Sequence, residues 1–478
     1  MKLTHQQVNF IDKCSDGGSL ALNSVAGSGK TFTLQEGAKV LKGGVATSFS
    51  KMTVDELKKK LPKTFESKTI HSIGLSTLKK HIKIYKIDSK DDKVFNIITA
   101  ISKNRKLLFP VKNLVKAAQL SKIVINGEND TIEDWDFAAD TANVDRKHIE
   151  IARKTLLLTT QMAVSKGIIT FDDMLYIPYA KNYDIDKTNV MIIDEAQDLN
   201  ALQHEMILKS LNKNGKVVLA GDPNQAIYGF AGALTNSYND LVEKFNCKEL
   251  ALSVSFRCPK SVVRLAQRIV PSITFMDNAI EGDVIYHREL DFDKCPPVII
   301  CRDNKPLISL AMKFIIHGKT ARVIGKDIGD SLIQLVRSIT TIKTMSTANF
   351  THLVEDWYQR TSVNSSYRIK ALNKDRKETL QELCLYLDTV GDVEKFLTNV
   401  FFDPSTKKTK QPEFTLCTGH KSKGLEWDDV LFLDNHLIPS RFATTEDQLQ
   451  QEENLKYVII TRAKRTLHFA NSNGIIFA

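Results

Sequence analysis

Ser24 to Thr31 reads SVAGSGKT, after an apolar run and at the start of a helical pattern. In that setting the backbone N–H groups of Ser24, Val25, Ala26, Gly27, Ser28 and Gly29 can ring a polyphosphate. Lys30 can reach its β and γ oxygens, and the Thr31 hydroxyl can ligate magnesium at a helix N-terminus. The strict GxxxxGK[ST] pattern wants glycine at position 24 and finds serine. A second constellation, VMIIDEAQD from Val190 to Asp198, ends a buried strand in two adjacent carboxylates. Asp194 can hold a magnesium shell while Glu195 orients and deprotonates an attacking water. Alone, the pair also reads as an acidic strand end or a helix N-cap. Together the two segments predict a nucleoside triphosphatase.

Such a site needs strands to carry its loops. Short apolar runs recur at 19–25, 44–49, 190–193, 217–220, 297–301, 415–418 and 430–433, each followed by a polar turn and most by helical periodicity. This is the α/β alternation of parallel sheets flanked by helices. Two such sheets fit the chain. The expected domains are 1–77 with 167–247 and 248–339 with 413–478, carrying lysine-rich, mainly helical insertions at 78–166 and 340–412. Within the second insertion, PSTKKTKQP from Pro404 to Pro412 reads as an exposed basic loop.

Composition narrows the class. At 478 residues the chain has room for about three domains, and 42% hydrophobic with 26% charged residues describes an ordinary globular protein. No apolar run reaches the roughly 18 to 20 residues of a spanning helix, and MKLTHQQVNF lacks an apolar signal-peptide core. No membrane association is expected, and a cytoplasmic location in a bacterial or phage-infected cell is. Seven scattered cysteines, none in a CxxC pair, read as reduced thiols. The net charge of +10 suits a polyanionic partner.

The segments DEAQD, GDPNQAIYGFAGA (Gly221 to Ala233), SFRCP (Ser255 to Pro259), TGHKSKGLEWDDV (Thr418 to Val430) and YVIITRAKR (Tyr457 to Arg465) resemble, in order and spacing, the UvrD/Rep/PcrA group of superfamily 1A helicases. The resemblance implies two RecA-like P-loop domains, each with a mainly helical insertion, and ATP with Mg²⁺ as cofactors. It implies that Gln7 reads adenine and that Phe256 stacks on it, where the family usually has tyrosine. Gln225 and Arg257 become γ-phosphate sensors, and Arg462 an arginine finger. Glu426 would lie near the ribose and Gly424 at a close backbone approach to phosphate. The second insertion is shorter than the corresponding family subdomain.

The same resemblance lays out a single-stranded DNA track: Phe49 and Lys51, Thr69 and His71, Phe171 and Asp172, Tyr228 and Phe230, and Thr418 and His420. Loop aromatics suit sequence-indifferent base stacking. Phe49, Phe171, Tyr228 and Phe230 can also be core residues, and His71 and His420 capping or core histidines. Where the family carries arginine after the last aromatic, this chain has Ala231, and Lys421 could supply the contact. The expected activity is ATP-dependent translocation and unwinding, 3′ to 5′ by resemblance, on single-stranded DNA and single-/double-strand junctions, alongside unknown replication or repair proteins. A clamp that hydrolyses ATP weakly without unwinding is the alternative, and RNA an alternative substrate.

Overall fold

The structure, a computed structural model, describes residues 3–104, 107–142, 144–229, 234, 236–362, 367–404 and 412–477. The chain divides into two compact units, one of Met1–Ser24 and Gly29–Leu252, the other of Val25–Ser28 and Ser253–Ala478.

The first unit is built on strands β1 (Leu20–Ser24), β2 (Gly44–Ser48), β3 (Phe65–Ser67), β4 (Thr188–Asp194), β5 (Leu211–Gly221) and β6 (Lys248–Leu252). They lie in the order β3-β2-β4-β5-β1-β6, with every pairing parallel. Central strands of such a sheet are covered on both faces and read as continuous apolar runs. Met191, Ile192 and Ile193 of β4 are accordingly buried. Ile192 faces a core with Phe10, Leu22 and Leu34, whereas Met191 and Ile193 face one that also holds Leu114, Trp135 and Leu156 of the inserted helices. The first insertion is therefore packed into its host's core. A buried ion pair joins them: Lys93 Nζ lies 2.5 Å from Asp173 Oδ2 and also donates to the carbonyls of Thr159 and Ile168.

The expected boundary at 247 falls one strand short. Residues 248–252 (KELAL) pair with β1 from Leu20↔Lys248 to Ser24↔Leu252 and complete the first sheet. Only Leu252 of that strand is buried, as suits a polar edge strand, so its apolar signal is weak.

In the second unit, β7 (Asp283–Tyr286), β8 (Val298–Cys301), β9 (Ala321–Ile324), β10 (Phe401–Phe402), β11 (Phe414–Thr418), β12 (Trp427–Leu433) and β13 (Ala463–Ala470) form a second parallel sheet. Their order is β7-β13-β12-β8-β11-β9-β10. Segment 340–412 contributes helices Thr347–Ser362, Tyr367–Leu383 and Val390–Val400 and then β10, the sheet's edge strand. Phe350, Val354, Leu380 and Leu397 share one core with Ile299 and Leu416. Polar contacts add to this packing. Asp375 Oδ1 accepts from the backbone N–H groups of Asn304 (2.9 Å) and Lys305 (3.2 Å), capping helix Asn304–Ile316, and Arg376 Nη2 donates to Ser331 Oγ (2.7 Å). Most of the expected basic loop, 405–411, lies outside the described residues.

All seven cysteines are free. Among the described residues no helix is long and apolar enough to cross a membrane.

Candidate active site and nucleic-acid interface

Strand β1 delivers the loop at its carboxyl end, where ligands meet parallel sheets. Ser24, the departure from the glycine pattern, donates its Oγ to the Gly221 carbonyl at the end of β5 (2.8 Å), which ties the loop to the sheet. Gly27 and Gly29 are both left-handed (φ 72° and 77°), a conformation that costs glycine little. A Cβ on Gly27 would stand 2.5 Å from Arg257 Cβ, so this position is also closed by crowding. The tip makes two further bonds: Phe256 N donates to Gly27 O (2.8 Å), and Ala26 N donates to the Tyr457 hydroxyl (2.9 Å).

Helix Lys30–Lys39 starts directly after Gly29. Its first residue, Lys30, places Nζ 2.8 Å from Asp194 Oδ1 and 2.5 Å from Glu195 Oε1. Burial lowers the pKa of this lysine, but the two carboxylates outweigh it and push the pKa up, so it stays cationic. Burial raises Asp194, opposed by Lys30. Glu195 is left-handed (φ 54°), a strained state for a residue with a Cβ and of a kind that collects at functional sites. The donors fit a magnesium ion: Asp194 Oδ2 is buried without a hydrogen-bond partner among the described residues, and Thr31 stands in the helix's first turn.

Gln7 belongs to the same neighbourhood. It is buried, closes a capping box with Thr4 and donates Nε2 to Thr33 Oγ1 (3.1 Å), two residues past the expected magnesium ligand Thr31. Thr33 in turn donates to Gly29 O (3.0 Å). Gln7 is thus held against the helix that begins at the phosphate loop, with its carboxamide engaged at both ends, since Oε1 accepts from Thr4 N (3.0 Å).

In the second unit, Arg257 Nε lies 2.5 Å from Glu426 Oε2, so the expected phosphate sensor and the expected ribose-side acid are paired with each other. Arg462 is fully buried. Its Nε donates to Val458 O (2.7 Å), Nη1 to Leu425 O (3.0 Å) and Nη2 to Thr461 Oγ1 (3.1 Å). Burial, reinforced by the Arg257 charge, lowers Arg462 to about 10, which leaves it cationic at neutral pH. Phe256 is 40% exposed. Gly424 is left-handed (φ 82°) with open space where a Cβ would stand.

The track residues divide by unit. In the first, Phe49 and Tyr228 stack with centroids 5.9 Å apart and planes 20° apart, while Phe49 also packs against the core. Phe171 opens helix Phe171–Ala180 and is 51% exposed, so it is not a core residue. Lys116 of the insertion reaches to 3.8 Å from its neighbour Asp172. Thr69 caps helix Ile70–His81, and Ser50 caps the helix that Lys51 begins. Burial lowers the pKa of His71, which favours the neutral ring. In the second unit Thr418 caps the short helix that holds His420. Desolvation and the charges of Arg302, Lys421 and Lys423 lower His420 to about 3, so its ring is neutral in this structure. Lys421 is paired with Asp327 (2.8 Å). Phe230 and Ala231 lie outside the described residues.

The model of the UvrD/REP helicase N-terminal domain matches residues 3–246. The chain belongs to the UvrD/REP helicase family. It is 23% identical to F-box DNA helicase protein 1 of Schizosaccharomyces pombe over 97% of this chain and 57% of that protein. It is 22% identical to a probable DNA helicase of Mycoplasma pneumoniae over 95% of this chain and 80% of that protein. With the ATP-dependent DNA helicase Rep of Buchnera aphidicola it shares 24% identity over 56% of this chain and 44% of that protein. The chain spans about half the length of the first curated relatives it matches.

Two polar residues inside the UvrD/REP motif segments escaped the sequence reading. Gln197 Nε2 donates to Glu195 Oε2 (2.5 Å), and its Oε1 accepts from Asp222 N (3.2 Å). Asp222 Oδ2 accepts from Gln225 Nε2 (2.7 Å), and burial raises its carboxyl to about 6. Their only sequence signal is that each lies within three residues of a residue already singled out.

Proposed function

We propose that the chain carries the motor of an ATP-dependent DNA helicase that tracks 3′ to 5′ along single-stranded DNA and opens single-/double-strand junctions during replication, repair or recombination. The observation that carries this reading is the Lys30 ammonium held between Asp194 and Glu195 at the start of a glycine-bounded helix. An incoming triphosphate offers Lys30 a stronger anionic partner. As Lys30 turns to the β and γ oxygens, Glu195 Oε1 is released to accept a proton from the attacking water, while Gln197 retains Oε2. Asp194 and Thr31 would hold magnesium, which would neutralise phosphate charge. Arg257 and Arg462 are the cations proposed to stabilise the charge that develops on the γ-phosphoryl group.

Exposed Phe171 and the Phe49–Tyr228 stack support a strand path that uses base faces and ignores sequence. Direction rests on the wording of DEAQD, IYGF and TGHKSKGLE. Strand displacement from 3′-tailed, 5′-tailed and blunt duplexes, with ATP and with a non-hydrolysable analogue, tests the proposal. Displacement from the 3′-tailed substrate with ATP alone is expected. Preference for the 5′-tailed substrate would reverse the direction, and DNA-stimulated hydrolysis without displacement would favour the clamp.

A further inference from the structure

Glu195 is held from two sides in the first unit. Lys30 takes Oε1, and Gln197, which is almost completely buried, takes Oε2. The other end of the Gln197 carboxamide accepts the backbone N–H of Asp222, whose carboxylate accepts from Gln225. One amide therefore spans from the carboxylate to the turn after β5. Glycine at the end of β5 makes room for it, because a Cβ on Gly221 would stand 2.6 Å from Gln197 Oε1.

We infer that Gln197 is a positioning residue for hydrolysis, whose carboxamide fixes the orientation of Glu195 against the turn that carries Gln225. This rests on the reading of Glu195 as the base. When Lys30 leaves Glu195 for a triphosphate, the bond from Gln197 Nε2 to Oε2 remains. It keeps a left-handed, strained Glu195 from turning away from the water. Because the bond is made to the base and not to nucleotide, its loss acts on turnover and spares binding.

The test compares kcat, KM for ATP and the affinity for a fluorescent ATP analogue in three variants. Gln197→Met keeps the length of the side chain and removes both bonds. Gly221→Ala leaves the amide intact and displaces it. The third variant combines them. Each single variant should lower kcat about 10- to 100-fold with KM and analogue affinity within about twofold of the parent. The double variant should be no slower than the slower single variant, since both changes break one contact. Unchanged kcat in folded Gln197→Met, equal losses in kcat and binding, or additive losses in the double variant would each overturn the inference. If Gln197→Met does not fold, Gln197→Glu, which keeps the acceptor for Asp222 N and loses the donor, is judged by the same criteria. Glu195→Gln is measured in parallel. Retained turnover there refutes the base itself, whereas lost turnover with unaffected Gln197 variants refutes only the positioning role.

Discussion

Arg257 and Glu426 are paired at 2.5 Å, so the guanidinium proposed to meet the γ-phosphate already has an anionic partner. If Arg257 takes the proposed role, nucleotide would have to displace that carboxylate. Glu426→Gln should therefore lower KM for ATP by roughly two- to fivefold, the scale of a partly exposed ion pair. A rise in KM would instead support the ribose contact that the family resemblance implies.

Lys30 and Glu195 separate two kinds of loss. Lys30→Ala should abolish turnover by removing charge from the transition state, and near-parental hydrolysis would sink the site assignment. Glu195→Gln keeps the shape and loses the base, so ATP and DNA binding should persist while hydrolysis fails. Binding that disappears together with turnover would count against that role.

Phe171 offers a clean test of the strand path because it is exposed. Phe171→Ala should weaken single-stranded DNA binding by about 1 to 3 kcal/mol whatever the base sequence, with an unchanged Tm. Affinity should also fall as salt rises. Unaltered affinity would remove Phe171 from the track.

Asp375 gives a pH dependence. Burial, with the Asp303 charge adding to it, raises its carboxyl from 3.8 to about 6. The folded chain thus holds this proton more tightly than the unfolded chain, and stability is lost as pH rises between those values. Asp375→Asn removes the titration, so its Tm relative to the parent should improve through that window. A difference that stays constant with pH would refute the shift.

The grouping of Lys30 with Asp194 and Glu195 was legible because each segment is local. A strand, a loop and a helix start place Lys30, and a strand end places Asp194 and Glu195, so short motifs suffice. Gln197 was not legible, since its contacts depend on Gly221 and Asp222, which the pairing of β4 with β5 brings beside it. Strand β6 was missed for a related reason: Lys248, Glu249 and Leu250 have little apolar content, and their partner β1 lies more than two hundred residues away. The packing of Phe350 and Leu380 into the second core was hidden too, because an amphipathic helix declares a buried face without naming what buries it.

Strand β10 has a practical consequence for anyone seeking to shorten this chain. Residues 340–412 look like a removable module in the sequence, yet cutting them out would strip Phe401 and Phe402 from β9 and leave that strand's backbone groups unpaired at a new sheet border. The same cut would take away the carboxylate that caps helix Asn304–Ile316. A trimmed protein would be prone to self-association, so the segment is a poor site for deletion.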